Sequence, residues 1–524
     1  MAAEAQQQGI VLTELEQRIF DRLLGAVDRY CPGTQLRVAG GWVRDKLLGE
    51  ESDDIDVALD NNMTGQDFCH QVNKYLEWIG EEQKTVCVSQ RNPDKSKHLE
   101  TAKMKICEVS IDFLNLRSET YAENSRIPIV ENCEAKVDAL RRDLTINSLF
   151  YNITTKSLED LTGRGHQDLK NGLIATPSPA KATFLDDPLR VLRAIRFAAR
   201  FGFTLAEDLK KAASDEEVKS GLRGKISRER IGIEVDHMML GKDPVNAMCY
   251  IRDLGLLYVV FEFPEKPDPP VLDKPDWLCV SHIEAAWNLA QLIGSSVFKG
   301  GSASKSQDEQ RRLFLYSALF YPVRNMVYMV KKSKKVSIVS YIIANSLKFE
   351  ADAKTKILNV HTASEKFAEL ILVLESNGNV ETFREKLNDE YLEIPTDRVN
   401  RVLAGLVLYE IKELWRVALL ISTLSYPQVG SFSQAELQRR KEKYVRVELL
   451  ITDLGLDGVW NKLEKPLLDG SDIQRVLQIP KGRLVGNWLH RELKWQLVHP
   501  RGTKEECEQW MKQSLLPKRQ KVEK

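Results

Sequence analysis

Leu36-Arg37-Val38-Ala39-Gly40-Gly41-Trp42-Val43-Arg44-Asp45, followed nine residues on by Asp54-Ile55-Asp56-Val57-Ala58-Leu59, is the stretch that decides the fold. A short apolar strand runs into two glycines, Trp42–Leu48 has the composition of a helix, and Ile55–Leu59 alternates as a second strand. Working outward, residues 13–30 repeat apolar positions at helical steps (Leu15, Ile19, Leu23, Leu24, Val27). Met104–Leu116 alternates over a longer span and reads as a third strand. Helix, strand, glycine turn, helix and two further strands predict a small α/β layer.

Beyond about Leu185 the periodicity becomes helical: Pro188–Arg200, Glu229–Leu240, His282–Ile293, Gln310–Leu319, Ala363–Ser376 and Asn400–Leu424. Proline-rich Phe263–Asp276 and Gly/Ser-rich Lys299–Lys305 read as linkers, and no internal repeat is present. At 524 residues the chain has room for two to four domains. Its 75 basic and 75 acidic residues cancel, so any attraction to phosphates must come from local clusters. The eight cysteines form no CxxC pair, which argues against structural zinc and for a reducing compartment. Charges at Glu410, Lys412, Glu413 and Arg416 interrupt the longest apolar run and exclude a membrane span there. Acids at Glu4, Glu14, Glu16, Asp21 and Asp28 speak against a transit or signal peptide, and Pro517–Lys521 has the composition of a weak nuclear signal. A cytoplasmic or nuclear protein is expected, with an organellar form left open.

Strand alternation sends residues i and i+2 to one face, so Asp54 and Asp56 present paired carboxylates. Two hard oxygen ligands suit Mg²⁺, which completes its shell with water and phosphate. Gly40-Gly41 lets backbone amides approach an anion at the start of a helix, and Arg44 lies one turn along. Glu108, Ser110 and Asp112 share a face of the longer strand, and Asp112 is the expected third acid. Three carboxylates holding two metals would activate a 3′-hydroxyl and neutralise a leaving pyrophosphate. Alone, a double glycine is common and an Asp-x-Asp is often a charged strand end. Their order and spacing together make the signal specific.

These residues resemble motif A of the class II CCA-adding enzymes, tRNA nucleotidyltransferases of the polymerase-β-like superfamily that also includes bacterial poly(A) polymerases. Arg141-Arg142-Asp143 resembles the family's RRD motif, and Asp160–Gly165, closing with Asp168-Leu169, its hinge segment. Asp186-Asp187-Pro188-Leu189-Arg190 resembles EDxxR with Asp in place of Glu, and Ser227–Glu234 the last neck motif. The match is clear over residues 36–240, while Ile473-Gln474 and Trp495–Trp510 look like the plant and fungal branch. The resemblance implies an α+β fold: a nucleotidyltransferase head with a small mixed sheet (1–175), then a mainly helical neck (176–262), body (263–440) and tail (441–524). It implies Mg²⁺-dependent, template-independent addition of CCA to the tRNA 3′ end from CTP and ATP, with tRNA held through its 3′ end and its acceptor and elbow region. Neither a membrane nor an obligate protein partner is expected. Asp54 and Asp56 would bind metal, Gly41 and Arg44 the triphosphate, and the RRD segment the sugar. Asp187 and Arg190, helped by Arg193 and Arg196, would read the base.

Helical geometry supports that last assignment. At 100° per residue, Arg190, Arg193 and Arg196 fall within an arc of about 120°, opposite Val191, Ala194, Ile195 and Ala198. Asp187 lies three residues before Arg190, which predicts neighbouring side chains. Cytosine and adenine both present an exocyclic amine beside an unprotonated ring nitrogen. A carboxylate accepts from the first and an arginine donates to the second, whereas uracil and guanine reverse both signs. The plainer reading is an Asp cap before Pro188 and a solvated arginine face.

Lys331, Lys332, Lys334 and Lys335 form a basic cluster, either a solvated surface or a contact to RNA phosphates, with Lys481, Arg483 and Lys494 as further candidates. Residues 118–135 read as a turn-rich loop. The alternatives are a poly(A) polymerase, a partial CC- or A-adding enzyme, or a non-catalytic RNA-binding protein on the same fold.

Overall fold

The apolar strand before the double glycine lies inside a seven-stranded mixed sheet. The computed structural model describes residues 10–89, 101–121, 128–264, 267–268, 275–298, 304–330, 334–375, 380–424 and 432–515. The chain divides into two units, Met1–Glu262 and Phe263–Lys524.

In the first unit, α1 (Glu14–Tyr30) leads into β1 (Leu36–Ala39), α2 (Gly41–Leu47), β2 (Ile55–Leu59), α3 (Gly65–Trp78), β3 (Val86–Ser89), β4 (Thr101–Ile106) and β5 (Val109–Asn115). Then come β6 (Arg117–Tyr121), β7 (Pro128–Asn132), α4 (Ala135–Arg141), β8 (Phe150–Asn152), β9 (Ser157–Glu159) and α5 (Gly165–Asn171). The sheet order is β3-β4-β5-β2-β1-β8-β9. β2 and β5 run parallel and the other neighbours antiparallel.

Thr13 and Glu16 form a reciprocal capping box that starts α1. Glu16 also accepts from Trp42 Nε1 (3.0 Å) and pairs with Lys46 (2.9 Å), which ties α1 to α2. Trp42 is fully buried against Phe20 and Tyr151. Ile55 and Val57 of β2 and Ile111 and Phe113 of β5 are buried, and Phe113 meets Phe68 of α3 at 5.4 Å. The alternate residues Asp56 and Asp112 therefore point to the opposite face.

The expected long strand Met104–Leu116 is instead a hairpin. Cys107 (φ 50°) and Glu108 (φ 66°) take the left-handed conformation and turn β4 into β5. Glu108 thus leaves the face it was expected to share with Asp112. Neither residue is the Gly or Asn that marks such turns, so the sequence hides it. The loop expected over 118–135 contains a second hairpin, β6–β7, whose strands pair from Arg117 with Asn132 to Tyr121 with Pro128. Asn124–Ile127 lie outside the described residues.

Seven helices follow in this unit: α6 (Ala180–Asp186), α7 (Leu189–Phe201), α8 (Glu207–Ala213), α9 (Glu216–Lys225), α10 (Arg228–Leu240), α11 (Pro244–Asp253) and α12 (Leu257–Val260). On α7, Val191, Ala194, Ile195 and Ala198 are fully buried, as the arc predicts. α7 packs against α10.

The second unit is mainly helical with a small three-stranded sheet (Pro267–Asp268, Val327–Val330, Lys334–Ser337). The helix expected over Asn400–Leu424 is broken, because Lys412 adopts φ 54° and divides Val399–Ile411 from Trp415–Thr423. At Gly405 a Cβ would sit 2.3 Å from the Leu497 side chain, so a larger residue there would force Leu497 to shift where Val399–Ile411 meets Arg483–Val498. Among the described residues no helix is long and apolar enough to cross a membrane. Most of the two expected linkers, and Pro517–Lys521, fall outside them.

The core of this unit contains two neutral histidines around Tyr321. His282 Nδ1 meets the Ala318 carbonyl and His361 Nε2 the Ser317 carbonyl, each at 2.8 Å. Their rings lie 5.1 and 5.6 Å from that of Tyr321. Burial pushes both imidazoles down to about 4. Above the ordinary histidine value of about 6.5 their contribution to stability is whole. As pH falls towards 4 the unfolded chain takes up these protons first and the contribution is lost. Each histidine should cost about 2 kcal/mol at pH 5 relative to pH 7. Thermal melts at the two pH values should show this loss, and His361→Gln should remove about half of it.

Candidate active site

The open face of the sheet carries the carboxylates. Asp54 lies just before β2 and is exposed, whereas Asp56 is half-buried within it. Parallel pairing sets Asp56 directly beside Asp112 of β5. Burial, then Asp54, then Asp112 push the Asp56 carboxyl up to about 6. Lys103 of β4, cross-strand from Asp112, pairs with it at 3.0 Å. The carboxylates thus repel one another at a partly desolvated surface, a charge pattern that a divalent cation relieves. Among the described residues no three His, Cys, Asp or Glu side chains are drawn into one metal-binding group. Asp54 and Asp56 fit an ion that takes its remaining ligands from phosphate and water.

The glycine turn is closely packed. Gly40 has φ 70°, and a Cβ there would stand 3.1 Å from Arg142 Nη1 and 3.2 Å from the Asn147 carbonyl oxygen. Arg44, expected within reach of the same anion as this turn, lines the cleft. Its side chain is buried against the rings of Phe197 and Phe201 and donates to Asp45 (2.8 Å) and Asn147 (2.5 Å).

Arg141, Arg142 and Asp143 end α4 and enter the following turn, and each has a fixed partner. Fully buried Asp138 receives Arg141, Arg142 (2.7 Å) and the Arg117 N–H (3.1 Å). Burial opposes the Asp138 charge, but the two guanidinium groups hold its carboxyl below the usual range. Glu119 on β6 pairs with Arg117 and Arg141 at 2.8 Å and lies 3.7 Å from Arg190. Asp143 accepts from Arg193 Nε at 2.7 Å and Asn147 Nδ2 at 3.2 Å. Burial works against its ionisation, yet Arg193 keeps the carboxyl far below the usual value, and Asp143 raises Arg193 in return.

The Asp187–Arg190 expectation needs correction. Asp187 is not on the helix but in extended backbone before it (φ −135°, ψ 97°). Its Oδ1 accepts from the Leu189 N–H at 3.1 Å, and its Oδ2 from Arg230 of α10 at 3.3 Å. Pro188 between the two residues bars Asp187 from the helix it precedes. Arg196 donates to buried Glu234 at 2.7 Å.

One cleft of about 670 Å³ brings these groups together. Its lining includes Gly40, Gly41, Asp54, Asp56, Asp143, Asp187 and all the candidate arginines, but not Asp112. Nine arginines and six carboxylates line it, an excess of positive charge that suits a polyphosphate. Arg117, Glu119 and Arg200 also line it and were not singled out from sequence, while Arg230 and Glu234 had come only within the neck motif and Asn147 only beside the RRD segment. Alternation of Arg117 with Glu119, and the four-residue step from Arg230 to Glu234, were the available signals.

The other basic candidates belong to the second unit and are not among the residues that line the cleft. Lys334 and Lys335 are exposed on a strand, and Lys331 and Lys332 lie outside the described residues. Lys494 is buried and donates to the Leu387 carbonyl at 2.8 Å, which removes it as a phosphate contact. Lys481 and Arg483 are exposed.

Residues 36–175 match the model of the poly A polymerase head domain. A CCA tRNA nucleotidyltransferase of Candida glabrata, named as mitochondrial, is 33% identical over 533 residues, covering 97% of each chain. Its namesake in Saccharomyces cerevisiae is 33% identical over 97% of this chain and 94% of its own. A CCA-adding enzyme solved in an apo form shares the fold at TM-score 0.60, with 19% identity over 96% of this chain and 97% of that one.

Proposed function

Since this chain belongs to the CCA tRNA nucleotidyltransferases of the polymerase-β-like superfamily, we propose that it completes the tRNA 3′ end with C, C and A from CTP and ATP, the cleft's own side chains replacing a template. The observation that carries this reading is that one cavity holds both the Asp54–Asp56 carboxylates and the Asp187 and Arg190 side chains.

In the reaction, the 3′-hydroxyl oxygen of the RNA attacks the α-phosphorus of CTP or ATP. That P–O bond forms, the bond to the β-phosphate breaks, pyrophosphate leaves and the hydroxyl proton is lost. The superfamily works with a divalent metal, and we take it to be Mg²⁺ on Asp54 and Asp56, where it would sharpen the nucleophile and balance pyrophosphate charge. Asp112, beside Asp56 on the neighbouring strand and paired with Lys103, would add a third negative charge to the carboxylates that face the metal. Gly40 and Gly41 keep the turn low beside the phosphates. Arg44, Arg141 and Arg142 supply positive charge to the triphosphate, and Asp143 holds Arg193 against the sugar and base. Asp187 accepts from the exocyclic amine while Arg190 donates to the ring nitrogen.

We divide the chain into head (1–175), neck (176–262), body (263–440) and tail (441–524), the last binding tRNA. The mitochondrial names of the two yeast relatives support an organellar pool beside a cytosolic or nuclear one.

Sequencing the products made on a tRNA lacking its last three nucleotides, with CTP and ATP supplied together, tests the reading. The expected product ends in CCA and stops. A run of A would mark a poly(A) polymerase, CC or a lone A a partial enzyme, and no extension a binding protein.

A further inference from the structure

We infer that Arg230 is a positioning residue for base selection: it fixes the plane of the Asp187 carboxylate so that Asp187 meets an exocyclic amine. This rests on the assignment of Asp187 and Arg190 as the base readers.

Asp187 stands at an extended corner between α6 and α7, so no helical backbone fixes its side chain. Two contacts at opposite oxygens do so instead. The Leu189 N–H holds Oδ1 at 3.1 Å and Arg230 Nη2 holds Oδ2 at 3.3 Å. Each carboxylate oxygen has two lone-pair directions, so both contacts leave acceptor capacity for a ligand. Without Arg230, one anchor remains and the carboxylate can turn about its side-chain bonds.

Other cations cannot easily replace it. Arg193 is committed to Asp143 and Arg196 to Glu234, each at 2.7 Å, while Arg190 faces Glu119. Among the described residues Arg230 is the one cation within ion-pair distance of Asp187. It reaches across from α10, 43 residues along the chain, and both side chains line the cleft. Telling an amine from a carbonyl depends on an acceptor held in one direction, since a mobile carboxylate can swing away from a carbonyl and relieve the repulsion.

The test measures single-nucleotide addition with each of the four nucleoside triphosphates on a truncated tRNA. Wild type, Arg230→Gln, Arg230→Lys and Asp187→Asn combined with Arg230→Gln are compared. For Arg230→Gln the preference for CTP over UTP, and for ATP over GTP, should fall about tenfold, chiefly through kcat/KM for CTP and ATP. Arg230→Lys should recover about half of the lost preference on a logarithmic scale. In the Asp187→Asn background, Arg230→Gln should change the preference less than twofold. The preference is a ratio within one preparation, so a partly unfolded variant lowers both rates alike and leaves it readable. An Arg230→Gln enzyme slowed equally for all four nucleotides, or effects that add fully in the double variant, would overturn the inference. If Arg190→Ala loses selectivity while Arg230→Gln keeps it, only this inference fails. A wild type that does not discriminate sinks the base-reading assignment itself.

Discussion

Replacing Asp56 by asparagine should lower the rate of nucleotide addition by on the order of a thousandfold or more, while making the metal-free protein more stable at pH 7. The two effects share one cause. Burial and the neighbouring Asp54 and Asp112 raise the Asp56 carboxyl to about 6, so the ionised form is unfavourable in the folded chain without a cation. The unfolded chain releases this proton near the ordinary value of about 4, and the folded chain holds it until about 6. Stability therefore falls as pH rises through this window, by at most about 3 kcal/mol at pH 7. Asparagine has the same shape and no charge, so it removes both the cost and the metal ligand. Binding of Mg²⁺ to the wild type should raise Tm more at pH 7 than at pH 5, where part of the Asp56 population is protonated. Asp56→Asn should lose most of that metal-dependent rise. Primer extension and melts with and without Mg²⁺ check both halves. An active Asp56→Asn enzyme would mean that the carboxylates are not the catalytic ones.

Arg190→Ala should leave the protein folded and metal-responsive but reduce the preference for C and A over U and G by about a hundredfold. A site whose polar groups are matched to a ligand rejects a mismatched one because the mismatch leaves those groups unpaired or opposed. Removing the donor to the ring nitrogen erases half of that matching. The fold should tolerate the change. Glu119, the residue facing Arg190, keeps Arg117 and Arg141, each at 2.8 Å. Asp187 is a less clean target because its carboxylate also holds the Leu189 N–H and Arg230, so Asp187→Ala adds a cap loss of about 1 kcal/mol. Competition assays with paired nucleotides, read by sequencing, give the preference directly. Undiminished selectivity in Arg190→Ala would place base reading elsewhere.

The sequence by itself determined the features that repeat over short distances. Alternation around Ile55 and Val57 set the strand and put Asp54 and Asp56 on one side. Helical spacing from Arg190 to Arg196 separated the packed face of α7 from its charged one, and the buried Val191, Ala194, Ile195 and Ala198 follow that division. Apolar burial acts on every second residue of a strand or every third and fourth of a helix, so it leaves a pattern readable without coordinates. Two local breaks escaped because residues without a turn signature take positive φ: Cys107 and Glu108 fold one apparent strand into a hairpin, and Lys412 divides one apparent helix.

Only the tertiary structure decided which charges meet. Asp112 stands beside Asp56 through the parallel register of β2 and β5, Arg230 reaches Asp187 from a helix 43 residues away, and Arg193 reaches Asp143 across 50. An ion pair depends on a distance of a few ångströms, set by how whole elements dock rather than by spacing along the chain. Equal numbers of acids and bases leave many pairings open until the core is packed. Hydrophobic periodicity therefore chose the scaffold, and the packing of that scaffold chose the distant partners of Arg193, Arg196 and Arg230 in the cleft.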